Sequence, residues 1–205
     1  MSEAQIFALG VTLAWLAGIR AYLTVFGLGL AGWLGWLDLP GSLELCQSPW
    51  VLGVSGLLAA VEFATDKIPG VDSLWDLFQT LLRVPAGAFL ASAALAGPDG
   101  EMSLGWAVAG GATALLSHGL KSGTRSLINT SPEPLSNVTA SVGEDAVALG
   151  ALALVFAHPW LALILLLVIS IGAALVAWWL ARHVWRLGRR LTRLILPDSN
   201  HPARL

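Results

Sequence analysis

Ionisable residues interrupt several apolar stretches of this sequence that are long enough to cross a lipid bilayer. A charged side chain in hydrocarbon costs at least about 2.5–3.5 kcal/mol, so each one is a candidate for a functional role unless it is merely paired or reaches the membrane surface. Nine of these ionisable residues and one asparagine are predicted to form an ion or substrate pathway. They are Arg20, Glu62, Asp66, Asp72, Asp76, Lys121, Arg125, Asn129, Glu144 and Asp145.

Two acidic pairs have helical spacing. Glu62 and Asp66 are four residues apart, as are Asp72 and Asp76, so in helical segments the members of each pair share a face. Between them Ile68-Pro69-Gly70 predicts a turn, which would bring the four carboxyl groups together. Such carboxyl groups could hold an exchangeable proton, or bind Mg²⁺ against a phosphate group. The alternative is a solvated cytoplasmic loop in which Asp72 caps the next helix.

A second segment, Ser117 to Arg125, combines cations with small residues. A helix broken at Gly123 would expose backbone groups beside Lys121 and Arg125, and together these would make an anion site. The alternative is that the two cations only anchor the cytoplasmic end of a helix. His118 is predicted to be a packed residue of the helical face.

Residues 126–141, which include Asn129, form the most polar stretch and lead directly into Glu144 and Asp145. Irregular polar backbone at membrane depth is tolerated only where it lines water or is buried in protein. The stretch is therefore either a cytoplasmic loop or a segment that re-enters the membrane. Glu144 and Asp145 could form ion pairs, and these pairs could be purely structural. The cations available to them are Arg20, Lys121 and Arg125.

The composition is that of an integral membrane protein. Of 205 residues, 56% are hydrophobic and only 12% are charged, and the mean hydropathy is +0.74; soluble domains have about 25% charged residues. The formal net charge of −2 argues against a nucleic-acid partner. A single cysteine, Cys46, excludes an internal disulfide and a cysteine-based zinc cluster. The sequence predicts no cofactor, and it leaves open whether a metal is bound.

Six segments have the length of a membrane span, about 20 mostly apolar residues. They predict an all-α polytopic protein with about six transmembrane helices, some of them broken or re-entrant. Residues 1–181 would form one transmembrane domain, and residues 182–205 a basic amphipathic cytoplasmic tail. The predicted spans are Ile6 to Leu30 or beyond, Pro49 to Thr65, Leu77 to Gly97, Leu104 to Leu120, Asn137 to Ala157 and Pro159 to Ala181.

The distribution of basic residues predicts the orientation, because Lys and Arg are retained in cytoplasmic loops. With six spans, Lys67, Arg83, Lys121, Arg125 and the basic tail lie on one side, while the opposite loops carry no Lys or Arg. Both termini are therefore predicted to be cytoplasmic. The N-terminus shows no basic segment or cleavage site of a secretory signal, so residues 6–37 are expected to be retained as membrane structure.

The first apolar stretch, Ile6 to Leu37, is too long for a single straight span. As one helix its 32 residues would measure about 48 Å, against about 30 Å of hydrocarbon. A break is predicted at Ala17-Gly18. Gly18-Ile19-Arg20 recurs as Gly123-Thr124-Arg125 three spans later, which hints at an inverted repeat of the kind found in many transporters.

Several runs resemble a known family. They are Gly18-Ile19-Arg20-Ala21-Tyr22-Leu23-Thr24, Asp66 to Asp76, Gly123-Thr124-Arg125, Asn129 to Pro134 and Gly143-Glu144-Asp145. Over most of residues 10–165 the chain resembles the bacterial membrane family known as domain of unknown function 4126. The resemblance implies a bacterial inner-membrane protein and no established activity. His118 and the basic tail lie outside these runs.

Three functions are compatible with these features. The first is a transporter or permease for an anionic small molecule or lipid head group, which could act as a homodimer, with Arg20, Lys121 and Arg125 binding the anion and with protons or Na⁺ carried by buried carboxylates. The second is a Mg²⁺-dependent membrane enzyme acting on a lipid phosphate. The third is a non-catalytic membrane scaffold whose ion pairs only fix the helix packing. The sequence favours the first.

Overall fold

In the computed structural model, which describes residues 2–68, 71–97, 99–128 and 134–195, every regular element is a helix. Six helices are α-helical, and a 3-10 helix, Gly41–Gln47, lies between the first two. The α-helices are α1 (Glu3–Trp33), α2 (Pro49–Thr65), α3 (Val71–Ala94), α4 (Leu104–Ile128), α5 (Pro134–Ala157) and α6 (Pro159–Ile195). Each of the six predicted apolar segments thus corresponds to one α-helix, which confirms the all-α fold class.

Among the residues that the structure describes, three helices are long and apolar enough to cross a membrane: α1, residues Val138–Ala157 of α5 and residues Pro159–His183 of α6. The 3-10 helix and α2, which are bent by 64° relative to each other, would make a fourth if they form one broken span. These helices are those of a membrane protein. The count of six spans is not confirmed, because α3 and α4 are not among the helices that meet this criterion.

Helix α1 lies at the centre of the bundle. It packs against all five other α-helices. In its 18-residue apolar segment 67% of the residues are buried, whereas in the corresponding segment of α6 only 11% are buried. The buried face of α1 carries Leu9, Leu13 and Leu16, which pack with Leu90 of α3 in the main core cluster. Residues near the middle of α1 are therefore surrounded by protein.

Helix α1 is interrupted at Arg20, whose backbone angles (φ −144°, ψ 74°) are not helical. The sequence predicted a break at Ala17-Gly18, and the structure places it two residues further on. The interruption is possible at this depth because neighbouring helices supply hydrogen bonds to the backbone groups that it releases.

The predicted break at Gly123 is wrong. Helix α4 continues through this residue to Ile128, so residues 121–128 are not a loop. A glycine lowers helix propensity by only about 1 kcal/mol, which tertiary contacts readily offset. Here Lys121 and Arg125, one turn apart, are both buried against other helices. Because the two Gly-x-Arg segments differ in backbone structure, the inverted repeat is not confirmed.

Helices α3 and α4 approach each other closely through glycines. A Cβ atom on Gly87 would lie 3.0 Å from the carbonyl oxygen of Gly110 and would overlap Ala114. Small residues at such positions let two backbones come into contact, as in membrane helix pairs. This packing fixes the positions of the polar side chains that α3 and α4 direct toward α1.

Candidate functional site

The break in α1 is surrounded by cationic side chains. The carbonyl oxygen of Ile19 accepts a hydrogen bond from Nζ of Lys121 (3.3 Å), and that of Gly18 accepts one from Nη1 of Arg83 (3.4 Å). Carbonyl groups at the end of a helical segment lack intrahelical partners and carry partial negative charge, so cations stabilise them. The interruption at Arg20 thus creates acceptors that α3 and α4 satisfy.

Arg20 itself is 1% exposed and contacts two carboxylates from different helices. Its Nη1 lies 2.6 Å from Oδ2 of Asp66, at the C-terminus of α2, and its Nη2 contacts Oδ1 of Asp145 in α5. Thr24 donates to the Arg20 carbonyl group (2.8 Å). The side chain at the break therefore links α1 to α2 and α5.

Lys121 and Arg125 continue the same set of contacts from α4. Nζ of Lys121 lies 2.9 Å from Oδ2 of Asp66 and 3.6 Å from Oε2 of Glu144. Arg125 binds Glu144 through two parallel hydrogen bonds, Nε to Oε1 (2.9 Å) and Nη2 to Oε2 (3.0 Å). It also donates to the carbonyl oxygen of Asp66 (3.3 Å). The contacts join into one group, called here the central charge network, which comprises Arg20, Asp66, Lys67, Lys121, Arg125, Glu144 and Asp145.

Lys67 lies at the edge of this network. Its Nζ is 3.3 Å from Oδ2 of Asp145, donates to the Phe63 carbonyl oxygen (3.0 Å) and lies over the Phe63 ring. The Lys67 side chain is 26% exposed, whereas those of Arg20 and Lys121 are 2% and 1% exposed. The network is therefore continuous from the buried break in α1 to the surface beside the α2–α3 turn.

A second cluster also contacts the break, through Arg83 of α3, which bonds the Gly18 carbonyl oxygen. Nη2 of Arg83 is 2.8 Å from Oε1 of Glu62 and also contacts Oε1 of Gln79, while Nη1 lies 2.8 Å from Nδ1 of His118. Nε2 of His118 is 2.7 Å from the Thr80 hydroxyl group. The five residues whose side chains make these contacts are called here the Arg83 cluster.

The contacts of His118 define its tautomer. A guanidinium group can only donate, so Nδ1 of His118 accepts from Arg83, and the neutral ring then carries its proton on Nε2, facing Thr80. Within the described part of the chain, Oε2 of Glu62 has no hydrogen-bond partner although it is fully buried. The cluster therefore contains a carboxyl oxygen at which a proton could bind.

Of the ten predicted site residues, the structure places six in the central charge network, namely Arg20, Asp66, Lys121, Arg125, Glu144 and Asp145, and a seventh, Glu62, in the Arg83 cluster. Glu62 and Asp66, predicted to act as a pair, have different partners: Glu62 contacts Arg83, whereas Asp66 contacts Arg20 and Lys121. The predicted ion pairing of Glu144 and Asp145 with cations of α1 and α4 is confirmed. Three predictions lie outside the described residues, namely the side chains of Asp72 and Asp76, which stand on α3, and the whole of Asn129.

Sequence reasoning missed Arg83 and His118 as members of the site. His118 was expected to be only a packed residue, but it bonds Arg83 within a buried polar cluster. A signal existed, since His118, Lys121 and Arg125 have the 3- and 4-residue spacing of one helical face. Arg83 was placed with the cytoplasmic basic residues and was not named as a site residue, although its apolar flanking sequence was a hint.

A cavity of about 260 Å³ lies beside the central charge network, between α1, α4, α5 and α6. Its walls are mostly apolar, and its polar lining groups are Lys121, Thr124 and Glu144. A second cavity, of about 430 Å³, lies between α1, α2 and α3 and is lined by apolar side chains together with Tyr22 and Ser55. Among the described residues, no group of three or more His, Cys, Asp or Glu side chains is placed to hold a metal ion.

Replacing Arg125 by lysine tests the paired hydrogen bonds to Glu144. Lysine keeps the charge but cannot form two parallel bonds to one carboxylate, so we expect the free energy of unfolding to fall by about 1–2 kcal/mol. Thermal unfolding in one detergent, followed by circular dichroism, measures this change. The control is Arg186→Lys on the exposed part of α6, which should leave the midpoint unchanged. Equal midpoints for Arg125→Lys and the wild type would contradict the paired geometry.

The fold and the site together define a helical membrane protein with a broken central helix and buried charges around the break. A family model described as "Domain of unknown function (DUF4126)" matches residues 7–182, and the chain belongs to this family. The match confirms the family that the sequence motifs indicated. No curated protein and no solved structure matches the chain.

Proposed function

We propose that this protein is a transporter of the bacterial inner membrane for an anionic small molecule or a lipid head group, coupled to protons or Na⁺ through buried carboxylates. The observation that supports this proposal is the break in α1, where charges of both signs from α2, α3, α4 and α5 converge on Arg20 and the preceding carbonyl groups. Interrupted helices with such surroundings near the membrane midplane form the binding sites of many secondary transporters.

The proposal includes six membrane spans with both termini in the cytoplasm. Helices α3 and α4 have 24 and 25 residues, and at about 1.5 Å per residue each is long enough to cross about 30 Å of hydrocarbon. Their charged side chains that the structure describes, those of Arg83, Lys121 and Arg125, are buried against other helices. Shielding of this kind is how charged residues are accommodated within membranes.

In this mechanism the anion replaces carboxylates that are already paired with the cations. Arg20, Lys121 and Arg125 would bind the anion, and Glu62, Asp66 and Glu144 would take up protons or Na⁺ as their ion pairs open. The contacts support such exchange because they are shared: Asp66 contacts both Arg20 and Lys121, and Glu144 contacts both Lys121 and Arg125. Because the contacts are shared, one ion pair can open while each of its two charged groups keeps another partner of opposite charge.

A structural scaffold is the second candidate. The observation that favours it is that the buried cations of the described residues already have carboxylate partners, as Arg83 has Glu62 and Arg20 has Asp66. Removing one partner of a buried pair costs about 3–5 kcal/mol, so the network would fix the helix packing without moving any cargo. The two candidate functions differ in one measurable property: only a transporter moves an anion across the membrane.

Uptake into proteoliposomes distinguishes them. Radiolabelled benzoate, succinate, inorganic phosphate and glycerol 3-phosphate are offered one at a time, with and without an inward proton gradient. We expect protein-dependent uptake of at least one anion, accelerated by the gradient. Glu62→Gln with Arg83→Gln removes a buried pair without leaving a lone charge, and we expect it to abolish this acceleration.

The matched control is Glu101→Gln, since Glu101 is exposed and lies outside both clusters. It should transport like the wild type. If none of the four anions enters faster than into protein-free liposomes, or if the double variant retains the full response to the gradient, the transport mechanism is wrong. Folded but inactive wild-type protein would favour the scaffold.

A further inference from the structure

Helix α6 extends beyond the membrane span that it contains. Its apolar segment, Pro159–His183, has 25 residues and measures about 37 Å at about 1.5 Å per residue. This length exceeds the about 30 Å of hydrocarbon and is shorter than the about 40–45 Å of a bilayer with its head groups. The helix continues from there to Ile195. Residues around His183 therefore lie at the level of the lipid head groups when α6 crosses the membrane.

Three exposed arginines lie at this level of α6. Arg182, Arg186 and Arg189 are spaced by four and three residues, which places them on one helical face over about 10 Å of the axis. Helix α6 contains no Asp or Glu, and none of the three guanidinium groups is paired with a carboxylate elsewhere in the described part of the chain. Each guanidinium group carries five N–H donors. These donors are therefore available to an anion outside the protein.

Two tryptophan rings position two of these arginines. Cζ of Arg182 lies 5.1 Å from the centre of the Trp178 ring, and Cζ of Arg189 lies 4.9 Å from the centre of the Trp185 ring. A cation over an aromatic ring is attracted by the ring electrons, and tryptophan itself prefers the membrane interface. The same arrangement thus occurs twice, seven residues apart. The five residues, called here the α6 arginine stripe, are Trp178, Arg182, Trp185, Arg186 and Arg189.

We infer that the α6 arginine stripe binds the phosphate groups of anionic phospholipids in the leaflet around the C-terminal part of α6. A zwitterionic lipid also carries a phosphate group, but its ammonium group cancels the charge, so three unpaired cations select lipids with a net negative charge. Each basic residue near an anionic membrane surface strengthens binding by about fivefold. The stripe is separate from the central charge network, and the inference does not rest on the proposed transport function.

The inference is tested by lipid binding to the full chain in an uncharged detergent, measured by native mass spectrometry. Phosphatidylglycerol and phosphatidylcholine with identical acyl chains are titrated separately. We expect half-saturation at a concentration at least about tenfold lower for phosphatidylglycerol. The triple variant Arg182→Gln, Arg186→Gln and Arg189→Gln should lower this preference at least about fivefold. With lysine at the three positions the charge remains but the contact with the rings is lost, and we expect binding to weaken by about two- to fivefold.

The matched control restores the net charge at a distance from the stripe. Asp38, Glu44 and Glu101 are exposed and lie outside α6. Adding Asp38→Asn, Glu44→Gln and Glu101→Gln to the triple glutamine variant returns the formal net charge to −2, the value of the wild type. We expect the preference for phosphatidylglycerol to stay lost, because the stripe is still missing.

Four results would overturn the inference. Equal affinity for the two lipids would mean that the arginines only orient the protein in the membrane. Recovery of the preference in the charge-restored variant would mean that total charge, and not the stripe, selects the lipid. Displacement of phosphatidylglycerol by an equal concentration of inorganic phosphate would indicate a site for free anions instead of lipids. Wild-type affinity of the lysine variant would contradict the part assigned to the tryptophan rings.

Discussion

Replacing Arg20 by methionine should lower the free energy of unfolding by about 3–5 kcal/mol, the cost of removing one partner from a buried ion pair. Arg20 is 1% exposed and contacts both Asp66 and Asp145. Without its guanidinium group two buried carboxylates lose a cation, although Lys121 and Lys67 still contact them. Because these contacts remain, we expect a value near the lower limit. Thermal unfolding in one detergent, followed by circular dichroism, measures it.

The control for this variant is Arg182→Met, which removes the same charge from the exposed surface of α6 and should change stability by less than about 0.5 kcal/mol. A second comparison is Arg20→Met with Asp145→Asn, in which one carboxylate is neutralised with its cation. The double variant should be more stable than Arg20→Met alone, because residues in contact are energetically coupled. Asp145→Asn alone completes the double-mutant cycle, and additive effects of the two substitutions would show that the Arg20–Asp145 contact contributes nothing.

Replacing Gly18 by alanine should lower the free energy of unfolding by about 2–3 kcal/mol. Its Cβ atom would overlap both the hydroxyl oxygen of Ser117 and the carbonyl oxygen of Ala114 on α4. The Ser117 hydroxyl group also donates to α1 at the Trp15 carbonyl oxygen (2.8 Å), so the two helices would have to separate and this bond would break. Overpacking of this kind typically costs about 1–3 kcal/mol.

Gly119→Ala is the matched control, since a Cβ atom at this position of α4 meets no atom within 4 Å. Alanine should there raise stability by up to about 1 kcal/mol through its higher helix propensity. The same thermal unfolding measurement compares the two variants. If Gly18→Ala is as stable as Gly119→Ala, the close contact between α1 and α4 is not present in solution.

The helices were predictable because long apolar runs with Pro and Gly at their ends indicate membrane-length helices without reference to other segments. Helix α2, Pro49–Thr65, matches its predicted bounds. Helices α3 and α4 extend beyond their predicted bounds, since Val71 begins α3 and Ile128 ends α4. The added turns carry charged residues, such as Arg125, that hydropathy assigns to loops and that tertiary pairing keeps within a helix.

Most members of the site could be named in advance, because a charge inside an apolar run is conspicuous whatever its partner. Which cation binds which carboxylate could not be named. Asp145 was equally compatible with several cations in the sequence, and the packing of α5 against α1 placed it beside Arg20. The break at Arg20 rather than at Ala17-Gly18 depended in the same way on donors from α3 and α4.

The sequence alone determined that this is a helical membrane protein of the DUF4126 family with charged residues inside its apolar segments. Local composition is sufficient for this, since hydrophobicity, helix length and motifs are properties of single segments. Only the tertiary structure decided that α4 is continuous at Gly123, that Arg83 and His118 join the site, and that a cavity lies beside Lys121. These features depend on distances between segments far apart in the chain, which no local pattern specifies.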